Sequence, residues 1–220
     1  MLLSYPGLVS QFNCTVNGVI HVGGHIGEEL GVYKDQGVQN LIMFEPQKHC
    51  FDQIVERSNE MGMDVKLVNK GLGNTTGEME IISEPTGLCG SLLNPKEVYN
   101  FPDLHKERWT HREMVEVVKM DDEIPEDHTY NFLNMDTQGY ELEVLRGGLR
   151  TLEKIDYIYT EVNKVEVKPK AFIIHKAFEA HSFQLVGKTG TILAFACGVR
   201  GGLSYEEDTF RLKQPMHSLK

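Results

Sequence analysis

"GVIHVGGHIGEELGVYKDQGVQNLIMFEP" (18–46) decides the fold. The apolar run VNGVIHV (16–22) breaks on Gly23, Gly24 and Gly27. Helical spacing follows over 26–36, and a second apolar run, NLIMFE (40–45), ends on Glu45 and Pro46. A small-residue turn after a strand lets backbone approach a ligand closely. The helix that follows offers free N–H groups to a carboxylate or phosphate. Glu45 stands 22 residues after Gly23, where an acid can accept hydrogen bonds from ribose hydroxyls. Gly-Gly-His-Ile-Gly does not match the dinucleotide pattern G-x-G-x-x-G. The stretch therefore predicts a site for a nucleoside-containing cofactor, against the plainer alternative of a strand–helix turn beside a solvated glutamate.

Outward from this stretch, strands and helices continue to alternate. QKHCFDQIVERSNEMG (47–62) reads as a helix, VKLVNKGL (65–72) as a third strand and GEMEIIS (77–83) as a further short strand. MVEVVKMDD (114–122) and YNFLNMD (130–136) return to strand pattern, the latter buried and ending in an acid. GYELEVLRGGLRTLEK (139–154) is helical with a Gly-Gly interruption, and IDYIYTEVN (155–163) is another strand. A helix over 168–182, with Pro169 near its first turn, precedes two strands around "TG", a hairpin signal. The expectation is an α/β fold with a doubly wound, mostly parallel sheet closed by an antiparallel hairpin. Such a sheet binds ligands outside the carboxyl ends of its strands. Gly23–Glu28, Glu45, Asp136 and Glu161 all fall there.

The stretch 84–113 shows no clear period and holds Pro85, Pro95 and Pro102. Unstructured connections of that length are usually binding loops or lids. Its Ser91, Lys96, His105, Trp109 and His111 suit a hydroxylated sugar, with Trp109 alternatively a packed anchor. The 205–220 tail reads as a terminal extension.

The 220 residues suffice for one sizeable core, so one domain is expected, with its core at about 16–199. A formal charge of −10 argues against a nucleic-acid backbone as partner and against docking on anionic lipid. No apolar run has the length of a membrane span, and the first residues lack the pattern of a signal peptide. Cys14, Cys50, Cys89 and Cys197 are scattered without C-x-x-C spacing, as expected of reduced thiols in a cytoplasmic protein. His21, His25 and Glu28 have a ligand-like spacing. Strand and turn would point the two histidines apart, so no zinc is assigned there.

HVGGHIGEE (21–29) with FEP (44–46), NFLNMDTQGYELEVLRGG (131–148) and IYTEVN (158–163) resembles the FkbM family of S-adenosylmethionine-dependent methyltransferases, over about Gly18 to Gly187. The resemblance implies a class I methyltransferase fold with a seven-stranded sheet. It also implies O-methylation, commonly of sugars or polyketide-type products. Many members carry Asp where this chain has His21. By position, Gly23, Gly24 and Gly27 would meet the methionine part of S-adenosyl-L-methionine, with His21 at the motif's head and His25 and Glu28 near the amino-carboxylate end. Glu45, followed by Pro46, would hold the ribose, and Lys70 and Leu72 would line the adenine.

Methyl transfer to a sugar hydroxyl requires alignment and a base that takes the hydroxyl proton. Asp136 is the first choice for that base, and a helix cap is its alternative role. Gln138 lies beside it. Glu161 and Asn163 could hold substrate hydroxyls, as could Ser91 and Lys96. Asp136 and Glu161 could instead share a divalent ion, which the sequence does not require. His105 or His111 would supply the base if the loop closes. The resemblance implies a glycan or small hydroxylated molecule as acceptor. A nicotinamide-dependent oxidoreductase and a non-catalytic cofactor-binding module are the competing readings.

Overall fold

The computed structural model describes residues 4–87, 90–93 and 109–162, and the backbone of two further strands at 183–187 and 192–198. Ten strands are described: β1 (Val19–Val22), β2 (Leu41–Phe44), β3 (Lys66–Val68), β4 (Gly71–Leu72), β5 (Gly77–Ser83), β6 (His111–Val118), β7 (Phe132–Met135), β8 (Tyr157–Val162), β9 (Phe183–Gly187) and β10 (Ile192–Gly198). Seven of them form one sheet in the order β3-β2-β1-β7-β8-β10-β9. The first five are parallel, and β10 runs antiparallel to both β8 and β9. This is the α/β sheet with a closing antiparallel pair that the sequence predicts. The chain reverses its direction of winding between β1 and β7, so the ligand crevice belongs at their carboxyl ends.

β1 and β2 are buried at every position, as strands covered on both faces must be. Their side chains alternate between two cores. Ile20, Val22, Ile42, Phe44, Leu133 and Met135 face one, and Val19, Leu41, Met43 and Phe132 face the other. Helix α1 (Tyr5–Gln11) packs Tyr5 and Leu8 into the second core. The sequence shows no period long enough to mark it. Helix α2 (Leu30–Asp35) buries Leu30 and Tyr33 there, and α3 (Lys48–Glu60) presents Cys50, Ile54 and Ser58 at i, i+4 and i+8.

Three expectations need correction. The expected single strand at 65–72 is two, because Asn69 turns the chain: its Nδ2 donates to the carbonyls of Glu45 and Pro46 at 2.8 and 3.0 Å. β3 stays in the large sheet, while β4 joins a second sheet of order β4-β6-β5. The expected helix at 26–36 begins only at Leu30, after a turn in which His25 takes φ +44°. The irregular stretch expected to end at 113 ends earlier, because β6 starts at His111 and pairs with β5 from Ser83 inward. After β6 comes α4 (Met120–Glu123).

The helical stretch after β7 divides into α5 (Glu141–Arg146) and α6 (Leu149–Leu152) at the Gly-Gly interruption. A Cβ on Gly147 would lie 1.8 Å from the Gly73 carbonyl oxygen, so the break marks a backbone-to-backbone approach. Asp121 restarts the helix by accepting from the N–H groups of Arg150 and Thr151 at 3.0 and 2.8 Å.

Candidate active site

The carboxyl ends of β1, β2 and β7 open into a cleft of about 820 Å³. Its walls include His21, Gly23, His25, Glu45, Asp136 and Gln138. That volume is in the ordinary range for a small-molecule or cofactor site.

Glu45 follows β2 and is 4 % exposed. Its Oε2 accepts from the His25 N–H at 2.9 Å and its Oε1 from the Gln47 N–H at 2.8 Å. The turn after β1 and the start of α3 thus aim one donor each at this carboxylate. Burial still dominates and pushes the carboxyl up to about 7, against the opposing pull of those two N–H groups. Each carboxylate oxygen can accept more than one hydrogen bond, so ribose hydroxyls can still be received.

The glycine turn has a reason internal to the protein. Gly23 has φ +85°, and a Cβ there would stand 2.0 Å from the Asp136 carbonyl oxygen. The close approach is to the end of β7, not to a ligand. The N–H groups of Gly23 and Gly24 both donate to the Phe44 carbonyl at 3.0 Å. His21 is buried, with Nδ1 3.0 Å from the Tyr33 hydroxyl, which also receives Asn134 Nδ2 at 2.8 Å. An amide NH₂ can only donate, so the tyrosine donates onward to Nδ1 of a neutral imidazole. Burial holds His21 below its usual range and keeps it neutral. His25 Nδ1 lies 2.8 Å from Glu28 Oε1, and its Nε2 lies 3.3 Å from the Thr86 carbonyl.

Asp136 follows β7 and is open to the cleft. The surrounding walls nevertheless raise its carboxyl above the usual range, while the Gln138 amide, bonded to its Oδ1, opposes the rise. Asp136 does not cap the helix that follows, whose N-cap position is Tyr140 and carries no side-chain cap bond. Glu141, buried at 3 %, accepts from the N–H groups of Thr137 and Gly139 at 3.1 and 3.0 Å and fixes the turn that carries Asp136 and Gln138. Sequence reasoning quoted Glu141 within a motif but gave it no role.

The other expected residues divide. Pro46, Lys70 and Leu72 line the cleft. The Lys70 ammonium is held by Glu123 at 2.7 Å and Glu116 at 3.1 Å, so the lysine offers chiefly its stem. The buried Ser91 hydroxyl donates to the Gln138 carbonyl at 2.9 Å and so ties the loop to the turn after β7. His111 stands on β6 and does not line the cleft. Glu161 stands on β8 opposite Leu193, and its side chain lies outside the described part. Lys96, His105 and Asn163 lie outside the described residues. Glu29, Gln47, Asn134 and Thr137 line the cleft without having been singled out. Gln47 Oε1 and Thr137 Oγ1 are shielded from solvent and make no hydrogen bond within the protein.

The sheet order and the crevice at β1 and β7 define a class I, Rossmann-like methyltransferase fold. Solved structures agree at the level of fold. A Streptococcus pneumoniae protein provisionally assigned as a tRNA (m1A22) methyltransferase, in complex with S-adenosyl-L-methionine, superposes with a TM-score of 0.53 at 12% identity, covering 92% of this chain and 76% of that one. A Pyrococcus horikoshii protein provisionally assigned as an RNA methyltransferase gives a TM-score of 0.50 at 14% identity, covering 87% and 80%. Residues 21–185 match the methyltransferase FkbM domain, and the chain belongs to that family. The hexuronic acid methyltransferase AglP of Haloferax volcanii is 24% identical over 154 residues. That match takes in 68% of this chain and 56% of the relative, so the chain spans little more than half the length of the curated relative.

Proposed function

We propose that this methyltransferase takes S-adenosyl-L-methionine as donor and methylates a hydroxyl of a sugar, glycan or small hydroxylated metabolite. The observation that carries the donor assignment is Glu45, a buried carboxylate held at a strand tip by two backbone N–H groups on the wall of the cleft. The residues present fit the donor. Glu45 would receive the ribose hydroxyls from its place on the cleft wall. Pro46, Leu72 and the Lys70 stem would flank the adenine. The turn from Gly23 to Glu28, with His25, would face the amino-carboxylate end. When bound, the donor supplies an activated methyl group on a sulfonium.

The chain's own task is then to align the acceptor and take its proton. Asp136, whose carboxyl burial raises above its usual range, would receive that proton. Gln138 fixes the orientation of its Oδ1, and Glu141 fixes the turn beneath both. Glu161 and Asn163, at the end of β8, would meet the acceptor hydroxyls. Lys96 and His105, outside the described residues, are further candidates. No divalent ion is required by this scheme. A hydroxylated acceptor is supported by the relative's printed activity on a hexuronic acid, and the −10 charge favours a small or glycan acceptor over a nucleic acid.

The test is incubation with S-adenosyl-L-methionine and a panel of neutral sugars, uronic acids and phenols, read by mass spectrometry. The reading predicts S-adenosylhomocysteine and a sugar product heavier by one methylene, stable to mild alkali as an ether is. Methylation of the uronic carboxyl alone, an alkali-labile ester, would overturn the hydroxyl assignment.

A further inference from the structure

Outside the cleft, the first turn of α3 meets the beginning of β6. His49 comes from the helix, and His111 and Glu113 come from the strand. Residues two apart on a strand share a face, so β6 presents its histidine and its glutamate together toward α3. One ligating atom from each of the three side chains lies within 4.8 Å of the others. The two imidazoles meet edge to face, with ring centroids 5.6 Å apart. None of the three residues lines the cleft.

The polar bookkeeping of this cluster is incomplete in one place. His111 Nε2 is shielded from solvent and makes no hydrogen bond. Its near neighbour is Glu113 Oε2 at 3.6 Å, too far for an N–H···O bond. The other carboxylate oxygen, Oε1, accepts from the Lys48 N–H at 3.3 Å, which orients the group as an outer-shell donor orients a metal ligand. A shielded imidazole nitrogen without a partner, facing a second imidazole and an anchored carboxylate, is the donor set of a borderline divalent cation. We propose that His49, His111 and Glu113 form a zinc-binding site, with two imidazole nitrogens and one carboxylate oxygen as protein ligands and water in the fourth position.

Tetrahedral zinc places its ligand atoms about 3.3 Å apart, so the three side chains must close by roughly an ångström. They are part-exposed, with His111 42 % and Glu113 25 % accessible, and have room to do so. The ion would clasp two points of the fold. β6 begins at His111, opposite Ser83 at the end of β5, so the site lies where these two strands begin and end their pairing. His49 stands two residues after Gln47, whose N–H holds Glu45. Zinc would thus fasten the corner of the chain that carries the Glu45 carboxylate to the start of β6. The proposal does not depend on the methyl-transfer reading.

The test uses the full chain, stripped of metal with a chelator and titrated with Zn²⁺ alone by calorimetry. One Zn²⁺ per chain is expected, with a thermal midpoint that rises with Zn²⁺ concentration. His49→Ala and His111→Ala should each weaken binding by at least the ~10–100-fold that loss of an outer-shell partner alone costs. Glu113→Gln preserves volume and an acceptor for Lys48, so it serves as the variant least able to disturb folding, and it should weaken binding as well. Co²⁺ in place of Zn²⁺ should give the visible absorption of a four-coordinate ion. Failure of the unmutated chain to bind Zn²⁺, or unchanged affinity and stoichiometry in the doubly substituted His49→Ala, His111→Ala chain, would overturn the proposal.

Discussion

Glu45 combines burial with two backbone donors, and the combination sets a pH dependence. Its carboxyl is raised to about 7 in the folded protein, above the range it has in an unfolded chain. Between those values the folded state binds the extra proton, so this group's contribution to stability declines as pH rises toward 7 and is flat above. If Glu45 receives ribose hydroxyls, as proposed, binding needs the acceptor form, so the two effects oppose each other. S-adenosylhomocysteine affinity should fall as pH is lowered through about 7, and Glu45→Gln should flatten that dependence in calorimetry. Glu45→Ala should cost about 1.5–3 kcal/mol of binding, the range for hydrogen bonds to a charged group. At Asp136 the expected signature differs. Asp136→Asn should lower turnover by ~10²–10⁴-fold while leaving S-adenosylhomocysteine affinity and thermal stability close to wild type. Wild-type turnover in that variant would remove Asp136 from the proton transfer. Both acids were legible in the sequence because each is a lone charge ending an apolar strand. Glu141 was not, since its role lies in bonds to Thr137 and Gly139 that only the folded turn creates.

At the scale of elements, the glycine turn and the helix break are governed by backbone approaching backbone. Gly23 was read in the sequence as making room for a ligand. In the structure it makes room for the carbonyl of Asp136, 2.0 Å from where a Cβ would be. Gly23→Val is therefore expected to destabilise the whole protein, and a loss of cofactor binding in that variant would not localise the site. Gly147 is the cleaner test, since it does not itself line the cleft. Gly147→Ala would drive a Cβ to 1.8 Å from the Gly73 carbonyl oxygen. It should cost at least the ~1–3 kcal/mol typical of overpacking, read as a lowered denaturant midpoint. An unchanged midpoint would show that the two segments separate without cost. The Gly-Gly break itself was visible in sequence. The division of 65–72 into β3 and β4 was not, because the apolar pattern runs on across Asn69, and the carbonyls that turn it belong to Glu45 and Pro46, more than twenty residues earlier.

Over the whole molecule, the alternation of strands and helices was enough to anticipate a mostly parallel sheet, since each βαβ unit is local and right-handed by default. The second sheet escaped that reasoning, because β4 pairs with β6 across more than forty residues. The same distance hides the His49–His111–Glu113 cluster, whose members are separated by 62 residues of chain but share one face of β6 and one helical turn. Among the described residues no helix is long and apolar enough to cross a membrane.

The cleft at β1, β2 and β7 is proposed to bind a methyl donor through Glu45. The direct measurement is calorimetric titration of the full chain, and of its Glu45→Ala variant, with S-adenosylhomocysteine and separately with NAD. One-to-one binding of S-adenosylhomocysteine to the unmutated chain is expected, strongly weakened in the variant, with no binding of NAD to either. Binding of NAD, or S-adenosylhomocysteine affinity that is indifferent to the loss of Glu45, would contradict the proposal.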